Sequence, residues 1–221
     1  MGGYWGNIIR VNLTTGEISR ESKDENFYRT YYGGAGMTSY FLLNELKQGI
    51  DPLGPDNKLV FAPGVITGAP FAGSARNAVG AKSPLTGGFG KSEVGGFWGA
   101  DLKRAGVDAL IIEGCAREPV YLWINDGSVE IRSAHHLWGR QVKETHNIMK
   151  TELQDTRIRT ALIGPAGENK VLFACIINDM KHAAGRTGMG AVMGSKNLKG
   201  IAVRGTKKVS VNNLDEFTRV A

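Results

Sequence analysis

The fold of this chain is decided by residues 161–205, which have the sequence ALIGPAGENKVLFACIINDMKHAAGRTGMGAVMGSKNLKGIAVRG. An apolar strand runs into a Gly-Pro corner and a second apolar run, followed by a glycine-rich helix start, a Leu-Lys pair and a last strand. The same order occurs earlier, where FAPGVITG at 61–68 leads to GGFWGADLKRAG at 95–106 and ALIIEG at 109–114. The two stretches differ slightly in length, and their shared order suggests a duplicated supersecondary unit.

Local patterns predict the other elements. The turns Thr14-Thr15-Gly16 and Asn125-Asp126-Gly127 each lie between apolar runs, which predicts two hairpins. Helical spacing of apolar residues predicts helices, and Asn213 ahead of Asp215-Glu216 starts another near the end of the chain. The predicted hairpins span 7–20 and 120–132, the helices 24–32, 38–47 and 141–153, and further strands 58–62, 110–112, 160–163, 171–177 and 200–203.

The composition is that of a globular domain, because 42% of the 221 residues are hydrophobic and 22% are charged. No run approaches the ~20 apolar residues of a membrane span, and the first residues do not resemble a secretory signal peptide. We therefore expect a cytoplasmic protein with no membrane contact. Glycine is unusually frequent at 31 residues, which suits backbone that approaches a ligand closely.

The net charge of +6 predicts an anionic partner, whether nucleic acid, acidic protein or a phosphorylated cofactor. The four tryptophans are scattered among core-like residues, so no aromatic platform for nucleic acid is expected. Cys115 and Cys175 have no CxxC spacing, so a zinc or iron–sulfur site within this chain is not expected. We expect both thiols to be buried and reduced.

Two glycine-rich motifs resemble nucleotide loops without matching them. Gly90-Lys91-Ser92 lacks the glycine that a P-loop needs five positions earlier, since Leu85 stands there. Gly188–Gly194 does not follow a strand directly, and no acidic residue for a ribose lies about twenty residues on. Both loops still open helices with backbone N–H groups available to an anion.

Arg76 and Arg186 stand among small residues in these glycine-rich segments. A guanidinium in such a loop can bind phosphate with two parallel hydrogen bonds, and the alternative for each residue is an exposed loop arginine. His182 precedes Arg186 by four residues, a spacing that would let it donate to the same anion. No serine, cysteine or metal-binding motif of a familiar hydrolase is present.

Taken together, the motifs resemble those of the tungsten- or molybdenum-dependent aldehyde:ferredoxin oxidoreductases. The similarity covers residues 3–211, and SPLTG, AGEN and GAVMGSKNLK are its most specific parts. The longer motifs, in chain order, are WGNIIRVNLTTGEI, DPLGPDNKLVFAPGVITG, RNAVGAKSPLTG, GGFWGADLKRAGVDALIIEG and IGPAGENKVLFACIINDMKHAAGRTGMGAVMGSKNLKGIAV.

The resemblance implies an α+β domain with a few short helices, in which two β-sheets related by a pseudo-twofold axis form a saucer-like base. Two pyranopterins that hold tungsten or molybdenum would lie on it, and main-chain carbonyls of Glu93 and Ala183 would bind a magnesium ion between the pterin phosphates. The implied cofactor contacts are Arg76, Glu93, Gly95, His182, Ala183, Gly185 and Arg186. A well-known family member has an amide residue at the position of Glu93 and an arginine at that of His182.

The resemblance also implies a division of the chain. Residues 1–211 would be the N-terminal pterin-binding domain, and 212–221 the truncated start of a helical domain. The [4Fe–4S] cluster would belong to later domains, ferredoxin would accept electrons from the full-length enzyme, and a homodimer is left open. We expect the chain alone to be inactive in aldehyde oxidation. The alternative is a standalone phosphate- or nucleotide-binding module without redox activity.

Overall fold

A computed structural model describes residues 2–221, so the first residue of the predicted domain 1–211 lies outside the described residues. The first half of the chain contains β1 Ile8–Asn12, β2 Ile18–Glu21, α1 Glu25–Tyr31, α2 Gly34–Glu45, β3 Leu59–Pro63, β4 Asn77–Lys82, β5 Phe89–Val94, α3 Trp98–Arg104 and β6 Ala109–Glu113. The second half contains β7 Val120–Asn125, β8 Ser128–Ser133, a 3-10 turn His135–Leu137, α4 Val142–Glu152, β9 Arg159–Leu162, α5 Pro165–Glu168, β10 Ile176–Asn178, β11 His182–Ala184, α6 Met189–Ser195 and β12 Leu198–Arg204, followed by α7 Leu214–Val220.

The twelve strands form two six-stranded sheets with the same topology. The order is β2-β1-β6-β3-β4-β5 in the first sheet and, in the same sense, β8-β7-β12-β9-β10-β11 in the second. In each sheet the second and third strands of that order are parallel, and all other neighbours are antiparallel. The strand order and every strand direction are therefore repeated, which confirms the predicted duplication and the α+β, two-sheet fold.

The quoted sequence echo corresponds to equivalent elements of this repeat. FAPG ends at the corner after β3, and ALIG ends at the corner after β9. The glycine-rich GGFWGADLKRAG contains α3, its counterpart contains α6, and each helix leads into the strand in the middle of its sheet. The two stretches are thus two copies of one path, namely strand, loop, antiparallel strand pair, helix and strand.

Several predicted elements are confirmed, and their ends have local causes. The side chain of Asp24 accepts a hydrogen bond from the backbone N–H of Phe27 and caps α1, which ends where Tyr32 adopts a left-handed conformation. The amide oxygen of Asn12 accepts from the N–H groups of Thr14 and Thr15, which fixes the first hairpin turn. Helix α4 lies within its predicted range, and each hairpin ends one residue beyond its predicted range, at Glu21 and Ser133.

Other predictions were wrong in extent. Helix α2 begins at Gly34, four residues before the predicted start, and β4 and β5 were not predicted as strands because of their glycine content. The strand predicted over 171–177 is reduced to β10, since Leu172 and Phe173 lie in a turn with side chains 46% and 68% exposed. The backbone N–H of Gly190 in α6 donates to Ala174 O at 2.9 Å, so this segment packs on a helix instead of a strand.

The two sheets share one apolar core. Its members come from both halves and include Leu59, Phe61 and Trp98 together with Ile176, Val192 and Ile201. The indole N–H of Trp98, fully buried in α3, donates to Ile201 O at 3.0 Å. Because each half leaves one sheet face apolar, burial of both faces against each other supplies the main driving force for the fold. No helix within residues 2–221 is long and apolar enough to cross a membrane.

Three lysines are fully buried, and each has a defined set of partners. Lys103 Nζ lies 2.5 Å from Asp108 Oδ1, while Lys196 donates to Asn57 O at 2.5 Å and Gly114 O at 2.9 Å. Lys199 contacts Glu168 and donates to Arg140 O at 2.8 Å. Asp108 also accepts hydrogen bonds from Trp5 N, Asn7 N and the Tyr28 hydroxyl, so its carboxylate joins the segment before β1 to α1 and α3.

Replacing Lys103 by methionine should destabilise the chain, because it leaves the Asp108 carboxylate buried without its counter-ion. We expect the free energy of unfolding in urea to fall by about 3 kcal/mol, the lower end of the range for a broken buried pair, since three other donors remain. The control is Arg29→Met, which removes a pair to Glu25 whose arginine side chain is 76% exposed. That change should cost less than about 1 kcal/mol, and equal losses in the two variants would contradict the argument.

Candidate functional site

The two sheets meet where their edge strands β5 and β11 run into glycine-containing loops. The side-chain amide of Asn178 donates to Asn77 Oδ1 at 3.2 Å and to Gly95 O at 3.4 Å, which links the end of β10 to the first half. The backbone N–H of Arg186 in turn donates to Ser92 Oγ at 3.2 Å. These bonds hold the loop after β5 beside the hairpin β10–β11.

Asp179 forms the strongest link across this junction. One of its carboxylate oxygens accepts from the backbone N–H groups of Phe97 at 2.5 Å and Trp98 at 3.0 Å, at the start of α3. Its other oxygen is buried without a hydrogen-bond partner among the described residues. Asp179 and Met180 have φ angles of 51° and 62°, so the hairpin tip is held in a conformation that costs non-glycine residues energy.

A cavity of about 430 Å³ opens at the junction, and its walls come from both halves. Arg76 and the β5 residues Lys91, Ser92 and Glu93 line one side, while Ala183, Gly185 and Arg186 line the other. Five of the seven predicted site residues therefore lie around one cavity. Gly95 and His182 lie beside each other, since a Cβ atom on Gly95 would be 3.7 Å from His182 Nδ1, and His182 is next in the chain to the lining residue Ala183. The structure thus brings all seven residues together.

The charge of the cavity is predominantly positive. Within residues 2–221 neither the Arg76 nor the Arg186 guanidinium forms a hydrogen bond or ion pair. Glu93, the one acid of the cavity lining, pairs with Lys91 at 2.9 Å. The hydrogen bond from Lys91 holds the pKa of Glu93 below its usual value, with smaller contributions from the two arginines. Two guanidinium groups are therefore available to an anion.

The glycines at the cavity leave space for a ligand. A side chain at Gly185 would meet only the Ala183 Cβ, at 3.9 Å, and one at Gly95 only the His182 ring. A second cavity of about 230 Å³, which Arg76 and Glu93 also line, extends to Gly34 and Ala35 at the start of α2. Backbone at Gly95 and Gly185 can therefore be approached closely, as an anion cradle requires.

Three residues of the site escaped the sequence analysis. Lys91 and Ser92 were assigned to a rejected phosphate-loop motif, and Asp179 was not singled out. Recognition of β5 as a strand would have placed Lys91 and Glu93 on one face, since they are two residues apart. Cys115 and Cys175 are free thiols as predicted, although both are half-buried instead of buried. No group of three His, Cys, Asp or Glu residues in the described chain is arranged to hold a metal.

The fold and the site together define a duplicated two-sheet α+β domain with a cationic, glycine-lined cavity where its halves meet. The chain belongs to the aldehyde ferredoxin oxidoreductase family, whose N-terminal domain matches residues 8–205. The family resemblance of the sequence motifs is thereby confirmed.

Relatives of known name agree with this assignment. Tungsten-containing aldehyde ferredoxin oxidoreductases of Pyrococcus horikoshii and Pyrococcus furiosus are 51% and 48% identical over the whole chain, which spans 36% of each. An aliphatic sulfonate oxidoreductase WOR-like subunit of Pyrococcus furiosus is 38% identical over 93% of this chain and 35% of its own. The active site complex BamBC of benzoyl coenzyme A reductase with 1,5-dienoyl-CoA superposes with a TM-score of 0.96 at 41% identity, covering 99% of this chain and 33% of that one. The chain thus spans about a third of the length of these relatives and corresponds to the N-terminal domain of the family.

Gly96 should tolerate no side chain, because the junction closes directly over it. Its φ is +87°, and a Cβ atom would lie 2.8 Å from Asp179 Oδ2 and 2.9 Å from His182 Cδ2. Gly73 is a matched control, since its φ is +86° and a Cβ atom there meets nothing within 4 Å. We expect Gly73→Ala to cost about 1 kcal/mol in urea unfolding and Gly96→Ala about 2–4 kcal/mol. Equal costs would show that the Asp179 junction does not confine Gly96.

Asp101 in α3 lies close to the junction, and its carboxyl group is buried, which disfavours the ionised form. Burial raises the pKa of Asp101 from 3.8 to about 6, against the opposing influence of Arg159 and Arg104. Its side chain is 9% exposed, and Arg104 approaches it only to 3.7 Å. The folded state therefore favours the protonated acid. This stabilising effect is complete below about pH 3.8 and is lost as the pH rises through about 6.

The free energy of unfolding of the wild type should therefore fall as the pH rises from about 4 to about 6. Asp101→Asn should abolish this fall, because asparagine does not ionise. We expect the variant to be more stable than the wild type at pH 7.5 by about 2 kcal/mol and equal to it near pH 4. The measurement is urea unfolding of both proteins at half-unit pH intervals from 4 to 8. A stability difference that does not change with pH would refute the assignment of this titration to Asp101.

Proposed function

We propose that this chain is the pterin-cradling N-terminal domain of a tungsten-containing aldehyde:ferredoxin oxidoreductase. The observation that carries the proposal is the duplicated site within the duplicated fold. Glu93 is the second-last residue of β5, Ala183 is the second-last residue of β11, and Gly95 and Gly185 follow the two strands directly. Two equivalent strand ends that meet at one cavity suit a ligand with two similar anionic halves, such as a pair of pterin phosphates.

The residues present fit such a ligand. Arg76 and Arg186 would each bind phosphate oxygens, because their guanidinium groups point to no acid or carbonyl partner within residues 2–221 and line the same cavity. The open backbone at Gly95 and Gly185 would let phosphates reach main-chain N–H groups. His182 would lie beside Gly95 as a further donor. The carbonyl groups of Glu93 and Ala183 would bind magnesium, which accepts oxygen ligands from protein and phosphate.

The redox chemistry is proposed for the longer protein. When bound, the tungsten–pterin group, or its molybdenum counterpart, supplies the oxidation of an aldehyde to a carboxylic acid. Electrons would then pass through a [4Fe–4S] cluster to ferredoxin, and the cluster ligands would lie beyond residue 211, the proposed limit of this domain. The described chain contributes binding and orientation, so we propose that it has no aldehyde-oxidising activity by itself.

Arg186→Ala should reduce cofactor retention. A lost charge-assisted contact is worth ~1.5–3 kcal/mol, which corresponds to roughly ten- to a hundredfold weaker binding. Arg186→Lys should recover only part of the loss, because an ammonium group keeps the charge without the two parallel hydrogen bonds. The measurement is pterin content per protein after gel filtration of the full-length enzyme and its variants, produced in cells that make the cofactor.

Arg157→Ala provides the control, since this arginine lies in an exposed loop, is 73% exposed and does not line the cavity. We expect its pterin content to equal that of the wild type. Equal pterin content in wild type, Arg186→Lys and Arg186→Ala would show that Arg186 is an ordinary loop residue. A wild type that retains no pterin would reject the proposed function itself.

A further inference from the structure

Lys91 lines the cavity, but it belongs neither to the predicted site residues nor to the proposed cofactor contacts. It lies on the edge strand β5 two residues before Glu93, so both side chains project from the same face of the sheet into the cavity. Its Nζ atom is 2.9 Å from Glu93 Oε1, and the two side chains are 38% and 44% exposed. An ion pair this exposed adds little to stability, so stability does not explain it.

Because Lys91 pairs with Glu93, the guanidinium groups of Arg76 and Arg186 remain without an acidic partner among the residues that line the cavity. The Glu93 carboxylate is the one acid among the residues that line the cavity, and both arginines line the same cavity. Opposite charges at short range attract each other, and more strongly near a protein surface than in bulk water. Without Lys91, the carboxylate would therefore attract Arg76 or Arg186. With Lys91 in place, the carboxylate is already paired and both guanidinium groups lack ion-pair partners within residues 2–221.

We propose that Lys91 is a positioning residue of the anion site: it binds the Glu93 carboxylate and thereby leaves Arg76 and Arg186 available for phosphate. This inference rests on the proposed function, because it assumes that the cavity receives phosphate groups. It also explains how an acid is tolerated there. Lys91 offsets the charge of Glu93, so the cavity keeps the net charge of its two arginines.

The test is calorimetric titration of the 221-residue chain with inorganic pyrophosphate, in the presence of magnesium. We expect Lys91→Met to weaken binding about tenfold, equivalent to ~1.4 kcal/mol, because Glu93 then competes for an arginine. Lys91→Arg should bind within about twofold of the wild type, since a cation is restored. Glu93→Gln should bind at least as tightly as the wild type. The double variant Lys91→Met, Glu93→Gln should return to within about threefold of it, because no carboxylate remains to be neutralised.

A matched control is available on the other edge of the fold. Arg132 and Glu130 are also two residues apart on an edge strand, β8, with a 2.7 Å contact and exposures of 34% and 49%. Arg132→Met should leave pyrophosphate affinity unchanged. All variants should keep a thermal midpoint close to that of the wild type, since both pairs are exposed.

Two results would overturn the inference. One is a Lys91→Met variant that binds pyrophosphate as tightly as the wild type. The other is a double variant as weak as Lys91→Met, because the lysine would then act independently of Glu93. A wild type that does not bind pyrophosphate is a different outcome, since it would reject the phosphate site of the proposed function as well.

Discussion

The structure depends on one constraint, namely that buried N–H groups at the junction of the halves find their hydrogen-bond acceptors in the opposite half. The Asp179 carboxylate supplies acceptors for Phe97 N and Trp98 N, and the Trp98 indole finds its acceptor at Ile201 O. A buried donor or acceptor that loses its partner costs ~1–3 kcal/mol. Because these bonds cross between the halves, either sheet alone would expose an apolar face and leave these groups unpaired. The domain is thus a single folding unit despite its duplication.

The duplication also accounts for the position of the site. The two edge strands β5 and β11 are equivalent in the repeat, and the fold places their ends next to each other. The loops that follow carry glycines in both copies, so backbone from each half borders the same cavity. The halves have diverged in charge, however, since β5 carries Lys91 and Glu93 while β11 carries His182 and two alanines. Symmetry of the backbone therefore coexists with an asymmetric distribution of charge.

Membership of the aldehyde ferredoxin oxidoreductase family gives this geometry its context. The named relatives share this domain while they act on different substrates, an aldehyde in one group and an aliphatic sulfonate in another. These enzymes therefore share this domain, which agrees with our proposal that it carries a cofactor common to them.

The sequence by itself determined the elements with strong local causes, such as the hairpin at Asn12, the capped helix after Asp24 and the strand-and-glycine order that is repeated. It also indicated Arg76 and Arg186 as residues for an anion. Strands β4 and β5 were not predicted, because glycines interrupt their apolar patterns. The apolar run at Leu172 and Phe173 predicted a strand, although it forms an exposed turn. Only the tertiary structure decided that Lys91 neutralises Glu93 and that Asp179 closes the junction with Phe97. The first contact requires that β5 pairs as a strand with β4, and the second depends on which strand edges meet, which the long-range packing of the two sheets sets.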